Sequence, residues 1–206
     1  PLPAVAFLAT LGKVAVAVFA IRLFSQPQIG QLPVVTSVIA LVAVASILVG
    51  KLLALRQTNL KSLLAYSSIA HMGYALIGLV AGTAQGVQAM LIYMAVYVTM
   101  NLGTFAFILS MEKDGQPVTK IAALNLYANR APGKAIAMLV LLFSLAGVPP
   151  FLGFFAKFGV WTAAIDAGMI WLVFASAIAS AIGAYYYLRI VYLMYFGDDV
   201  DDALNG

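Results

Sequence analysis

Residues 146–158 read Ala-Gly-Val-Pro-Pro-Phe-Leu-Gly-Phe-Phe-Ala-Lys-Phe, an apolar stretch that holds two consecutive prolines and one lysine. Pro149 and Pro150 have no backbone N–H, so they interrupt a helix and leave carbonyl groups without helical partners. Irregular backbone at membrane depth is tolerated only where it is buried in protein or lines a wet cavity. Lys157 lies roughly two turns, about 10 Å along the axis, beyond this break. Because intramembrane charge is costly and marks ion pathways, the stretch predicts ion or proton transport.

The composition around this stretch is that of an integral membrane protein. Hydrophobic residues make up 64% of the 206 residues and charged residues only 9%, and the mean hydropathy is +1.04. The net charge of +4 does not indicate nucleic-acid binding, because the charges lie at the ends of apolar segments, as membrane topology requires. The chain has no cysteine and one histidine, which excludes a disulfide framework, a thiolate-bound iron–sulfur cluster and a bis-histidine haem within it. Any electron transfer coupled to its work must take place in another subunit.

Apolar segments long enough to span a bilayer, roughly 17–25 residues each, predict an all-α, polytopic transmembrane bundle of about six spanning helices. The predicted spans are residues 3–24, 33–55, 61–81, 87–111, 133–164 and 168–196. The fifth is too long for one straight crossing, so a break at Pro149-Pro150 into two offset half-helices is expected. The chain opens directly in an apolar segment without an initiator methionine. We therefore expect residues 1–206 to be a single transmembrane domain and a fragment of a longer subunit.

The basic residues predict the orientation of the chain in the membrane. They cluster in the second and fourth loops, which lie on the same side: Lys51, Arg56 and Lys61 in the second, and Lys113, Lys120, Arg130 and Lys134 around the fourth. By the positive-inside rule these loops are cytoplasmic, and six crossings place both chain termini there too. Residues 112–132 are expected to form a cytoplasmic loop with a short amphipathic surface helix, since Val118, Ile121, Leu124 and Ala128 recur at helical spacing. Residues 197–206 are predicted to be an acidic cytoplasmic tail.

Two lysines and the histidine are the candidate functional residues. Lys13 lies near the middle of the first segment and Lys157 beyond the helix break, and a buried amine can gain or lose a proton when its surroundings change. Alternatively, either lysine snorkels to the interface or is structurally paired. His71 titrates near neutrality and can pass protons through its two ring nitrogens, or it can form an ordinary hydrogen bond between helices. The seven acidic residues lie at or beyond segment ends, so an acidic partner for these lysines is expected outside this chain.

Three motifs resemble one family of membrane proteins. Residues 55–74 read Leu-Arg-Gln-Thr-Asn-Leu-Lys-Ser-Leu-Leu-Ala-Tyr-Ser-Ser-Ile-Ala-His-Met-Gly-Tyr, a stretch similar to the signature of the antiporter-like membrane subunits of respiratory complex I. Residues 143–158 and the run Tyr-Tyr-Tyr-Leu-Arg-Ile-Val-Tyr at 185–192 resemble more narrowly the N-type subunit of bacterial NADH:quinone oxidoreductase. The resemblance covers essentially the whole chain.

The resemblance implies two inverted five-helix repeats, each with one broken helix, of which this chain would hold the second and one preceding helix. Lys13 matches the lysine on the helix that joins the two half-channels, Lys157 the lysine on the second broken helix, and His71 a polar position between them. The glutamate and lysine of the first repeat would precede Pro1, and a final helix would follow Gly206.

The function that the resemblance implies is proton translocation by a multi-pass subunit of the bacterial inner membrane. The subunit would bind no redox cofactor itself, while FMN, iron–sulfur clusters and quinone would belong to other subunits of the complex. Its expected partners are the other membrane subunits, the lipid bilayer, protons and water, and not nucleic acid. Two alternatives stay open: a subunit of a multi-subunit sodium/proton antiporter, and a structural membrane subunit without a transport role.

Overall fold

A computed structural model of the chain describes residues 2–24, 26, 32–199 and 204, and over these ranges the fold is the all-α bundle that the sequence predicts. The principal helices are α1 (Leu2–Phe24), α2 (Pro33–Leu55), α3 (Leu60–Val80), α4 (Ala84–Leu109), α6 (Pro132–Ala146), α7 (Leu152–Asp166) and α8 (Ile170–Phe196). Between α4 and α6 lie β1 (Glu112–Lys113), β2 (Gln116–Pro117), a 3₁₀ turn (Ile121–Leu124) and the one-turn helix α5 (Tyr127–Arg130). The acidic tail predicted at 197–206 lies mostly outside the described residues.

The predicted break at the paired prolines is confirmed. Among the described residues, α2, α3, α4 and α8 are long and apolar enough to cross a membrane. The fifth predicted span is instead two helices, α6 and α7, of 15 residues each. At 1.5 Å per residue, each is about 22 Å long, shorter than the ~30 Å hydrocarbon core. The broken pair therefore places irregular backbone, residues 147–151, between two short helices, with both prolines exposed and the flanking residues partly buried.

Local sequence signals set the helix ends. The side chain of Asn59 accepts hydrogen bonds from the backbone N–H groups of Lys61 and Ser62 at the start of α3, and Thr83 accepts one from Gly86 at the start of α4. At the end of α6, Gly147 takes a left-handed conformation with φ of 83°. Only glycine adopts this conformation readily, and it stops the helix just before the prolines.

Close approach between α2 and α3 makes α3 the centre of the bundle. A Cβ atom on Gly50 would lie 2.7 Å from the backbone nitrogen of Ala70, and one on Gly73 would lie 2.6 Å from the carbonyl oxygen of Ala43. Glycine at these two positions lets the helix backbones touch, as is typical of membrane helix pairs. Of the four candidate spans, α3 is the most buried, so its polar residues face protein rather than lipid.

The segment 112–132 differs from the prediction of a short amphipathic surface helix. It folds as a β-hairpin, a 3₁₀ turn and a single helical turn, because left-handed residues interrupt it at Asp114, Gly115 and Leu126. The apolar positions that suggested a helix instead cover the end of the bundle, with Ile121 and Leu124 buried.

Backbone hydrogen bonds attach this segment to the ends of two long helices. The N–H of Leu60, in the first turn of α3, donates to the carbonyl of Thr119, and the N–H of Leu126 donates to the carbonyl of Leu193 near the end of α8. The loop at 56–59, segment 112–132 and the end of α8 consequently share one end of the bundle.

Candidate functional site

Lys157 is held at the helix break by two hydrogen bonds. Its side chain is 1% exposed, and its Nζ donates to the carbonyl oxygen of Ala146 at 2.7 Å and to Oγ of Ser180 at 2.8 Å. The Cα of Lys157 lies beyond the break, in α7. Because side chains on a helix point toward the N-terminus of that helix, the amine of Lys157 lies back at the break. Ala146 is the last residue of α6, where carbonyls lack helical partners. The broken helix therefore supplies the acceptor that a buried amine needs.

His71 has a hydroxyl partner at each ring nitrogen. Nδ1 shares a hydrogen bond of 2.7 Å with the hydroxyl of Tyr93, and Nε2 lies 3.4 Å from the hydroxyl of Tyr187, which is also hydrogen-bonded to Oγ of Ser67. The imidazole is 1% exposed and stacks on Tyr97 with ring centroids 5.0 Å apart. A neutral imidazole carries one N–H and one acceptor nitrogen, so it can take a proton from one side and release one at the other.

Lys51 belongs to the same interior, which corrects its sequence-based placement in the basic second loop. It is fully buried in α2, with its Nζ 5.5 Å from the ring centroids of Tyr186 and Tyr187 and 5.8 Å from that of Tyr74. Within the described part of the chain, Nζ has no hydrogen-bond partner. The helix continues past Lys51 because the next four residues, 52–55, are Leu-Leu-Ala-Leu, and it ends only at Leu55, with Arg56 as its cap. The apolar run after Lys51 is the sequence feature that could have indicated the burial of this lysine.

Lys13 lies at the edge of the site. It is half-buried in α1, and its Nζ is 5.7 Å from the ring centroid of Tyr97, the ring on which His71 stacks. A cleft of about 250 Å³, lined mainly by small and apolar residues of α1, α3 and α4, opens beside it.

Together these side chains form one continuous array, which we call the lysine–tyrosine array. Its members are Lys13, Tyr97, His71, Tyr93, Tyr187, Ser67, Lys51, Tyr74 and Lys157. One tyrosine ring separates Lys13 from His71, and another, Tyr74, faces both Lys51 and Lys157, the latter at 5.0 Å. The structure thus brings all three predicted site residues together. It adds Lys51 and the buried tyrosines, which the sequence alone did not identify as site residues.

The array contains no carboxylate from the described residues. Glu112, Asp114, Asp166, Asp198 and Asp199 are all exposed. Two buried amines, one half-buried amine and an imidazole thus lie in the array without a negative charge from this part of the protein.

Comparisons of the whole chain with known proteins find a matching family and similar proteins. The family described as NADH:quinone oxidoreductase/Mrp antiporter, transmembrane, matches residues 1–183. The NADH-quinone oxidoreductase subunit N of Jannaschia sp. (strain CCS1) is 55% identical over 206 residues, which are 100% of this chain and 43% of that protein. The protein of the same name from Rhodobacter capsulatus is 56% identical over 199 residues, 96% of this chain and 41% of the relative. The chain thus spans less than half the length of these curated relatives.

Solved structures show the same fold. A chain of respiratory complex I from Thermus thermophilus with bound aureothin matches with a TM-score of 0.69 and 35% identity, over 79% of this chain and 37% of that one. A chain of the archaeal membrane-bound sulfane sulfur reductase matches with a TM-score of 0.84 and 25% identity, over 100% and 42%. A chain of the Mrp complex from Dietzia sp. DQ12-45-1b matches with a TM-score of 0.67 and 29% identity, over 80% and 31%.

Proposed function

The chain belongs to the family of NADH:quinone oxidoreductase and Mrp antiporter transmembrane subunits, and from that premise we propose that its lysine–tyrosine array carries protons through the membrane. The observation that carries the proposal is the continuity of the array, in which Lys13, His71, Lys51 and Lys157 are connected through shared tyrosines inside the bundle. A structural role alone does not require four titratable groups in one apolar interior, where each is costly to bury.

His71 is the central station of the proposed relay. Its two nitrogens face two different hydroxyls, those of Tyr93 and Tyr187, so uptake and release of a proton can occur on opposite sides of one ring. Tyr97, which stacks on the face of the imidazole, lies between His71 and Lys13. Tyr187 leads to Lys51. Water molecules would complete the steps between the amines and the hydroxyls.

Lys157 is the terminal station on the side of the broken helix. Its amine is held by acceptors from two different helices, the carbonyl of Ala146 and the hydroxyl of Ser180, so a shift of either helix changes the stability of its charged form. Such coupling between helix position and charge is what a proton pump requires. We propose that Lys157 delivers protons toward the far side of the membrane.

The setting we propose is that of a non-redox subunit of a proton-translocating NADH:quinone oxidoreductase in the bacterial inner membrane. FMN, iron–sulfur clusters and quinone would be bound by other subunits, and quinone reduction there would drive the relay. Its direct partners would be other membrane subunits of the complex. Two features support this setting: the identity with proteins named NADH-quinone oxidoreductase subunit N and the matching chain of a respiratory complex I.

The orientation we propose puts the shared bundle end formed by residues 56–59, segment 112–132 and the end of α8 on the cytoplasmic side. The basic residues Arg56, Lys61, Lys120 and Arg130 support this assignment. The described part of the acidic tail joins them there through an ion pair between Arg130 and Asp199.

A sodium/proton antiporter subunit is the second candidate, and the match to a chain of an Mrp complex favours it. Everted vesicles that contain the full-length protein distinguish the two. Sodium-dependent proton exchange in the absence of NADH supports the antiporter, whereas proton uptake that requires NADH and quinone supports the oxidoreductase. A structural subunit predicts a third result, in which Lys157 variants fail to assemble but whatever assembles pumps normally.

The deciding test replaces Lys157 in the full-length protein within its membrane complex. Lys157→Met removes the amine at similar length, while Lys157→Arg keeps a positive charge and donors but does not release its proton. Both variants are expected to assemble and to lose proton pumping by about tenfold or more, because loss of a positioned proton-transfer group typically costs 10²–10⁴ in rate. Lys134→Met, at an exposed lysine of α6, serves as the matched control. Normal pumping by an assembled Lys157→Arg complex would refute the relay.

A further inference from the structure

Two open clefts meet at Arg189 on the outer face of α8. One has a volume of about 520 Å³ and is lined by Leu55, Ile182, Tyr185 and Arg189. The other, of about 290 Å³, is lined by Arg189 together with Thr58, Lys120, Asn125 and apolar residues of the 3₁₀ turn and α8. The lining of both clefts is mainly apolar, and the second adds Lys120 to the Arg189 that they share, so together they have the two-part chemistry of an amphiphile.

Arg189 lies on the outer face of a membrane helix, where its charge needs a polar or anionic partner. It lies about two turns, roughly 10 Å along the axis, before the end of α8 at Phe196. The neighbouring outer face is apolar and aromatic, with Ile178 66% and Tyr185 62% exposed. No carboxylate within the described ranges forms an ion pair with Arg189. An arginine at this depth of a membrane helix is retained where its guanidinium meets an anion or polar group.

We propose that these clefts form a binding site for one anionic phospholipid. The phosphate binds between the guanidinium of Arg189 and the ammonium of Lys120, with the hydroxyl of Thr58 as a further donor. Planar guanidinium groups suit phosphate because they donate two parallel hydrogen bonds. An acyl chain lies in the apolar cleft against Leu55 and Ile182, beside the ring of Tyr185.

Charge and shape favour a lipid over the other possible occupants. A free phosphate ion would use the basic cleft but not the apolar one that continues from it. A membrane-spanning helix of another protein would cover the apolar cleft but would need its own anion at the depth of Arg189. A phospholipid supplies both parts in one molecule, and each juxtamembrane cation strengthens the binding of anionic lipid by about fivefold.

The test uses the full-length protein in its native membrane complex, reconstituted with a photoactivatable phospholipid that carries a diazirine on one acyl chain. Phosphatidylglycerol and phosphatidylcholine with the same labelled chain are compared, and cross-linked peptides are identified by mass spectrometry. We expect the peptide that contains Ile182 and Tyr185 to be labelled by phosphatidylglycerol about fivefold or more above phosphatidylcholine. Arg189→Gln should lower the preference for phosphatidylglycerol by about fivefold, whereas Lys134→Gln, at an exposed lysine outside both clefts, should leave the preference intact.

Three results would overturn the proposal. Equal labelling by the two lipids in the unsubstituted complex would show that the clefts do not select an anion, and this comparison needs no variant that must fold. Loss of phosphatidylglycerol labelling on addition of millimolar inorganic phosphate would identify a site for the free anion. Absence of labelling by both lipids would show that another subunit covers the face.

Discussion

Substitution of Gly183 by alanine tests whether the position of the Lys51 amine matters for transport. A Cβ atom on Gly183 would overlap with Nζ of Lys51 and would lie 2.8 Å from its Cε and 2.9 Å from its Cδ. Because carbon contacts are optimal at about 3.5–4.0 Å, the end of the lysine must retreat by roughly 1 Å. Its Nζ already lies 5.5–5.8 Å from three tyrosine rings, close to the ~6 Å limit of a cation–π contact, so such a shift breaks at least one of them.

The expected energetic effect on the fold is small. Overpacking a buried position costs about 1–3 kcal/mol, and replacing glycine by alanine inside a helix returns roughly 0.5–1 kcal/mol. The net destabilisation is therefore about 0–2.5 kcal/mol, and the flexible end of the lysine absorbs much of the strain. The protein should assemble, while the rate of proton pumping falls because Lys51 no longer keeps all three of its tyrosine contacts.

The assay measures NADH-driven proton uptake in everted membrane vesicles, normalised to the amount of assembled complex. Gly159→Ala is the matched control, since a Cβ there would meet only Cβ of Ala89 at 4.0 Å, an ordinary contact. In a Lys51→Ala background, Gly183→Ala should have no further effect, because the space beside residue 183 is then empty and the two changes are not additive. Normal pumping per assembled complex in the Gly183→Ala variant would refute the argument.

Two other substitutions test the remaining contacts. Tyr187→Phe keeps the ring beside Lys51 but removes the hydroxyl that joins Ser67 to His71, so proton uptake should fall by about tenfold or more. The control is Tyr192→Phe, on an exposed ring of the same helix, which should leave proton uptake unchanged. Equal proton uptake by the two variants would exclude the Tyr187 hydroxyl from the relay. Arg130→Gln removes an exposed ion pair with Asp199 and should cost less than about 1 kcal/mol. The expected signs of the lost ion pair are faster hydrogen exchange at the amide of Leu204 and unchanged proton transport. Slower proton uptake by Arg130→Gln would contradict this prediction.

The fold was largely predictable from the sequence because its strongest signals are local. Paired prolines break a helix whatever surrounds them, and apolar runs of about 20 residues span a bilayer. Lys51 shows where local reasoning failed. Grouped with Arg56 and Lys61 it looked like a loop charge, although its burial depends on the tyrosines of α8, which lie far away in the chain. The prediction of a surface helix in segment 112–132 was wrong for a similar reason. Its apolar residues pack against the ends of helices distant in the chain, and the periodicity of the segment carries no information about those contacts.

The absence of a buried carboxylate in the described residues constrains how the array can be charged. Lys51 and Lys157 face the same ring of Tyr74, and like charges in a low-dielectric interior repel strongly. Lys157 has two acceptors for its N–H groups, whereas within the described chain the amine of Lys51 has none. An ammonium on Lys157 is therefore stabilised by hydrogen bonds that depend on the helix break, whereas one on Lys51 would rest on the surrounding tyrosine rings and on a negative charge brought near α2 by another part of the protein.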